Sequence, residues 1–198
     1  EALEGIDIVY HLISTTVPST SNKNPVYDIE SNLVSTIRLL DLMRDSNTSR
    51  IVYLSSGGTV YGIPELSPIP ESHSLRPICS YGVVKVSIEN YLQMYHHLYD
   101  IEYVVLRASN PYGNRQGHIG VQGVIGTFMG KVITGEQIEI WGDGSVVRDF
   151  IHVDDLAKLC VRVKDSSVSG MFNAGSGKGY SIREIVATLS TVSQIEIR

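Results

Sequence analysis

Cysteine, surplus charge and long apolar runs are all scarce in this chain. Its two cysteines, Cys79 and Cys160, cannot build a disulfide framework and lack metal-ligand spacing. Both read as filler, and a reducing cytoplasm is the expected compartment. A net charge of -5 argues against a broad nucleic-acid-binding surface and against adhesion to an anionic membrane. No apolar run approaches the roughly twenty residues that a membrane span requires. An initiator Met and a signal peptide are missing too. The chain opens with Ala2-Leu3-Glu4-Gly5 running into Ile6-Asp7-Ile8-Val9-Tyr10-His11-Leu12, which reads as a helix end followed by a buried strand. A fragment is therefore expected.

What is present describes an ordinary globular protein. Hydrophobic residues make up 42% and charged residues 19% of 198, enough for a sizeable core in one or two domains. Strand-like runs alternate with helix-length segments: a strand over 7–12, a helix from Pro25 with apolar positions Ile29, Leu33, Ile37, Leu40 and Met43, and a strand over 51–54. A proline-bearing loop over 62–77 leads to a helix that Ser80 caps, with Val84, Ile88, Tyr91 and Tyr95 inward. A third strand covers 102–107. Strands apolar on both faces, alternating with helices, predict a parallel sheet covered on either side, and therefore an α/β, doubly wound fold.

Beyond Gly117 the pattern predicts a helix over 121–131, a short strand over 138–141, a Gly142-Asp143-Gly144 turn, a helix over 154–163, a strand over 171–174 and a helix from Ser181. The expected division is a partial dinucleotide-binding domain over 1–117. A smaller substrate lobe with returning sheet elements follows over 118–198.

The chemistry-bearing signal is Tyr81-Gly82-Val83-Val84-Lys85. One helical turn places Tyr81 and Lys85 on one face, where an ammonium favours the phenolate and moves it towards a range where it can accept a proton. Alone the spacing is weak: with eleven tyrosines it arises by chance about one time in three. Its bland reading is a surface turn with an extended Lys. Other candidates also have bland readings. For Asn32 it is a polar gap filled on its helix, and for Arg148-Asp149 a surface ion pair. His11 packs at a strand end and His152 satisfies a local hydrogen bond. His96-His97 lack further ligand spacing. Asp154-Asp155 suit a helix N-terminus, and the Tyr91, Tyr95, Tyr99 stripe is core or interface.

Seven further motifs supply the context: Val9 to Leu12 (VYHL), Ser31 to Thr36 (SNLVST), Tyr53 to Gly62 (YLSSGGTVYG), Leu106 to Gly113 (LRASNPYG), Trp141 to Gly144 (WGDG), Val147 to Leu156 (VRDFIHVDDL) and Phe172 to Gly177 (FNAGSG). In this order they resemble the extended short-chain dehydrogenase/reductase family, and within it the nucleotide-sugar epimerases of the UDP-glucose 4-epimerase type. The resemblance implies a Rossmann-type sheet whose N-terminal half is missing here, a retained NAD, and epimerisation at C4 of a UDP-hexose through a 4-keto intermediate. It makes Tyr81 the base and Lys85 its partner and a ribose contact. Leu12, Ile13, Ser14, Asn32, Ser55 and Ser56 fall beside the cofactor, and Asn110, Gln122 and Arg148 contact the nucleotide sugar. It also implies a homodimer through the helices over 25–44 and 80–99.

Two departures stand out. The family usually carries Ser or Thr where this chain has Gly57, so Ser56, Thr59 or a water must supply that hydroxyl, with Thr59 favoured. The glycine-rich phosphate loop and the acidic ribose-binding residue are absent, and Gly175-Ser176-Gly177-Lys178-Gly179 follows the wrong strand to replace them. A 4,6-dehydratase is disfavoured because Gly58-Thr59 stand where its elimination needs Asp-Glu. A reductase releasing oxidised cofactor, or a catalytically silent dinucleotide-binding module, remains as an alternative. Without a phosphate loop at a helix N-terminus, calorimetric titration of the 198-residue chain with NAD should give no saturable micromolar binding. Micromolar affinity would contradict this.

Overall fold

The computed structural model describes residues 3–117 and 123–195. In chain order it forms β1 (Ile8–His11), α1 (Pro18–Ser21), α2 (Pro25–Asp28), a π-helical turn (Ile29–Val34), α3 (Ser35–Ser46), β2 (Arg50–Ser56), α4 (Ser80–Tyr99) and β3 (Glu102–Ala108). These are followed by β4 (Asn110–Tyr112), α5 (Val124–Thr134), β5 (Val147–His152), α6 (Val153–Arg162), a short 3-10 turn (Val163–Asp165), β6 (Gly170–Ala174), β7 (Gly179–Ser181) and α7 (Ile182–Ser193). Two compact units result, Glu1–Ala108 with Lys158–Ala174, and Ser109–Ala157 with Gly175–Arg198.

The first unit is built on a four-stranded parallel sheet in the order β1-β2-β3-β6. Register runs through Tyr10 opposite Val52, Val52 opposite Val104, and Val104 opposite Gly170. The strands are apolar on both faces because both are covered: Ile51, Val52, Val104 and Val105 are fully buried. On one face, Leu40 and Met43 of α3 and Val84, Ile88, Leu92 and Tyr95 of α4 close over Ile51, Tyr53, Tyr103 and Val105. Each such side chain contributes roughly 1.5–3 kcal/mol by burial. Leu92 belongs to this inner face, whereas Tyr91 stands at its margin. Asn47 and Asp100, both at φ 56°, end α3 and α4 in the left-handed conformation.

The expected continuous helix from Pro25 is interrupted. Residues Ile29–Val34 widen into a π turn, a rare departure from the α-helical ladder. In the second unit β4 runs parallel to β5, and β7 pairs antiparallel to it. Residues 138–141 are not a strand, contrary to expectation. The alternation of Ile138 and Ile140 is followed by Gly142 and Gly144 at φ 75° and 71°; Ile138 is buried but Trp141 is 91% exposed, and no strand pairs with the segment among the described residues. β5 itself was not anticipated. Ser181 and Glu184 cap α7 reciprocally, as its sequence requires.

A buried ion pair crosses the first unit. Arg107 of β3 and Glu89 of α4 meet at 2.7 Å, with side chains 3% and 0% exposed. Arg107 also donates to the Tyr61 hydroxyl (2.9 Å) and the Glu71 carbonyl (3.3 Å), while the Ser55 hydroxyl donates to Glu89. Tyr61 passes the network on to Asn173 of β6 at 2.7 Å. Removing one partner strands a charge, so Glu89→Ala should destabilise by about 3–5 kcal/mol in urea melts. Glu65→Ala, which breaks a 3.9 Å pair with Arg76 that is 76%/74% exposed, should change stability by no more than about 0.5 kcal/mol.

Candidate active site

The first turn of α4 is fixed from outside the helix. Its N-cap is Cys79, and Ser80 is the first helical residue, a correction to the expected Ser80 cap. The freed Ser80 hydroxyl donates to Asp28 Oδ2 at 2.7 Å, and the Ser80 amide donates to Asn22 Oδ1 at 2.8 Å. Gly82 is there for proximity. A Cβ at that position would stand 2.8 Å from both the Thr59 carbonyl oxygen and Pro77 Cβ, so a side chain would push the helix off the 57–61 loop.

From this turn Tyr81, Lys85 and Glu89 project at four-residue intervals along one face. The Lys85 ammonium is buried (5% exposed) and donates to the Leu54 carbonyl at 2.9 Å, beside the carboxyl end of β2. It lies 4.7 Å from the centre of the Tyr53 ring and 5.3 Å from that of Tyr81. An ammonium has three donors, so two remain for a ligand. Burial lowers Lys85 to about 8, against the opposing pull of Glu89 and Asp28. Tyr81, half-buried, has no hydrogen-bond partner for its hydroxyl among the described residues. Burial lifts it to about 12, aided by the charges of Asp28 and Cys79. The expected lowering of Tyr81 by Lys85 is therefore not a property of these residues by themselves, because desolvation of the phenolate outweighs the cation.

The predicted cofactor-side residues divide by what their side chains do. Leu12 (51%) and Ile13 (74%) are exposed together with Ser14 just beyond β1. Ser56 carries a free hydroxyl at the end of β2, while Ser55 is committed to Glu89. Asn32 spends both ends of its amide on the chain: Oδ1 accepts from the Thr15 amide at 2.9 Å, and Nδ2 donates to Thr15 Oγ1 and Asp28 Oδ1, both at 2.9 Å. Thr59 Oγ1 is buried with no partner, an orphaned hydroxyl beside the loop that Gly57 allows to press on β3. A Cβ at Gly57 would stand 3.0 Å from the Arg107 carbonyl oxygen, which leaves little room for the family's Ser or Thr. His11, lowered to about 4 by burial and then by Lys85, is a neutral strand-end residue bonded to Thr36.

The second unit holds its own cluster. Asp149 accepts from Ser109 Oγ (3.0 Å), the Ser176 amide (2.8 Å) and the Gly177 amide (2.7 Å). The glycine-rich 175–177 loop thus grips an internal carboxylate with the donors that a phosphate would need. Asn110 Nδ2 donates to the Asp149 carbonyl at 2.9 Å. Arg148 is exposed; its Nη1 donates to the Val147 carbonyl of its own strand at 2.8 Å, and no carboxylate pairs with it among the described residues. His152 meets Asp154 at 3.7 Å and stacks edge-on with Tyr112. Gln122 lies outside the described residues. Among the described residues no group of three metal-ligating side chains forms.

Asp28, Glu89 and Arg107 were not foreseen. Glu89 carries the one available signal, being a third polar residue at four-residue spacing after Tyr81 and Lys85 in an otherwise apolar face.

A parallel sheet with a tyrosine–lysine helix beside the carboxyl ends of its strands defines a Rossmann-type chain. The chain belongs to the NAD dependent epimerase/dehydratase family, whose model matches residues 1–175. It is 36% identical over 180 residues to the UDP-glucose 4-epimerase of Mycolicibacterium smegmatis, covering 90% of this chain and 58% of that protein. The crystal structure of UDP-glucose 4-epimerase with UDP-glucose from Thermotoga maritima matches at TM-score 0.94 and 30% identity, covering 97% and 62% of the two chains. The Thermus thermophilus UDP-glucose 4-epimerase complex with NAD matches at TM-score 0.89 and 30%, covering 98% and 64%. This chain thus spans about three fifths of the length of these relatives.

Lowering Lys85 from 10.5 to about 8 corresponds to roughly 3 kcal/mol against the buried cation. Below pH 8 that penalty is fully present. Between about pH 8 and 10.5 the unfolded chain binds more protons than the folded one, so stability rises with pH. Lys85→Met should therefore gain about 1–3 kcal/mol in urea melts at pH 7, a gain that shrinks at pH 10. A destabilised Lys85→Met protein would contradict the buried cation.

Proposed function

We propose that this chain carries the catalytic helix and substrate lobe of a cytoplasmic, NAD-dependent epimerase that inverts C4 of a UDP-hexose through a transient 4-keto sugar. The observation that carries this reading is the single face of α4 on which Tyr81 stands one turn from a buried, incompletely hydrogen-bonded Lys85. Tyr81 takes the proton of the C4 hydroxyl and returns it. Lys85 holds ribose hydroxyls with its two spare N–H groups and sets a positive charge beside the phenol. When bound, NAD supplies a reversible acceptor for the C4 hydride and, in its oxidised ring, a second positive charge. A phenol that starts at about 12 needs both cations to ionise near neutral pH.

Leu12, Ile13, Ser14 and Ser56 line the cofactor side, with Asn32 setting the loop that follows β1. Thr59, whose buried hydroxyl lacks a partner, or Ser56 replaces the hydroxyl absent at Gly57. Arg148, paired with no carboxylate among the described residues, pairs with the nucleotide diphosphate, an anion suited to its fork. Asn110 and Gln122 complete the sugar contacts. The first unit serves as the dinucleotide-binding part and the second as the substrate lobe. Exposed Leu42, Val83, Met94 and Leu98 on α3 and α4 support a homodimer through these helices.

The test is Tyr81→Phe in the intact protein, incubated with a panel of UDP-hexoses and read by proton NMR. Interconversion of C4 epimers should fall by about 10²–10⁴-fold, and a variant with wild-type turnover would remove the phenol from the mechanism.

A further inference from the structure

Asp28 lies outside every role assigned so far, yet it is completely buried and no cation is bonded to it. Its carboxylate instead accepts three charge-assisted hydrogen bonds from three separate segments. Oδ1 takes the Thr16 hydroxyl at 2.7 Å and Asn32 Nδ2 at 2.9 Å, and Oδ2 takes the Ser80 hydroxyl at 2.7 Å. Thr16 and Asn32 hold the loop that leaves β1, where Asn32 also fixes Thr15 through amide and hydroxyl. Ser80 immediately precedes Tyr81. Asp28 and Asn32 stand four residues apart, so one helical turn brings them to the same side. One carboxylate thus ties the strand-end loop to the first turn of the tyrosine–lysine helix.

We propose that Asp28 is a positioning residue that locks the 14–16 loop and the Tyr81 turn in one mutual geometry. The proposal rests on the epimerase reading only for its effect on turnover. A buried carboxylate that loses its site leaves three donors unpaired, so the two segments should loosen together. The titratable groups that feel its charge are Lys85, Tyr81 and Tyr53, drawn from α4 and β2. Asp28 raises both Tyr81 and Lys85, so its charge is felt at the site as well as its bonds.

The experiment compares wild type, Asp28→Ala and Asp28→Asn of the intact protein by hydrogen exchange and by turnover. In Asp28→Ala, exchange should quicken at least about 10-fold over 13–17 and over 79–84, while 51–54 and 103–106 stay within about twofold of wild type. Turnover should fall about 10-fold or more. Asn keeps an acceptor for Thr16 and Asn32 and can donate to the Ser80 oxygen. Asp28→Asn should therefore restore protection in both segments, and with less negative charge beside Tyr81 the acid limb of its pH profile should move to lower pH. Unchanged exchange in Asp28→Ala, equal loosening of the core segments, or turnover within twofold of wild type overturns the proposal. A wild-type protein without epimerase turnover counts against the epimerase reading alone, because the exchange pattern still decides what Asp28 does.

Discussion

A lysine held out of water is the constraint around which the first unit is arranged. Lys85 reaches from α4 to the Leu54 carbonyl at 2.9 Å, and that bond fixes the position of the charge. Burial costs the ammonium in that place roughly 3 kcal/mol relative to an ordinary solvated lysine, so the fold must hold it there by other means. It does so with an apolar face, in which Val84, Ile88 and Leu92 are 3%, 2% and 1% exposed, and with two carboxylates, Glu89 and Asp28, whose fields pull the cation back. Burial and charge therefore oppose each other at one side chain, as the proposed catalytic role of Lys85 requires.

The polar interior divides into two networks with different purposes. Glu89, Arg107, Ser55, Tyr61 and Asn173 bridge α4, β2, β3, β6 and an intervening loop. Every member is satisfied, which makes the network a device for register. Asp28, Asn32, Thr15, Thr16 and Ser80 form the other, between the loop that leaves β1 and the first turn of α4. Lys85 stands between them with donors to spare. That asymmetry separates a structural charge cluster from one prepared to receive a ligand.

Much of this was legible from residue order. The parallel sheet followed from runs such as Ile51 to Leu54, apolar on both faces, and the helix face followed from Val84, Ile88 and Tyr95. The tyrosine–lysine pair was legible because its spacing matches a helical turn. What could not be read were interactions between segments far apart in sequence. Asp28 to Ser80 and Glu89 to Arg107 join residues that no local period relates. β5 was missed because its first half lacks an apolar face, Val147 and Arg148 being exposed and Asp149 bonded to the 175–177 loop, and residues 138–141 misled through an alternation that no strand pairing uses. The direction of the Tyr81 shift was misjudged for a similar reason, since spacing reveals the neighbouring cation and conceals the desolvation.

The account stands most directly on the buried ammonium, and its titration can be observed. The Lys85 side-chain carbon signal, assigned by its loss in Lys85→Arg, should be followed by NMR against pH in the intact protein before any ligand is added. A midpoint near 8 is the predicted result. A midpoint near 10.5, the ordinary lysine value, would mean that the side chain reaches solvent, and the arrangement of Tyr81 and Lys85 described above would not hold.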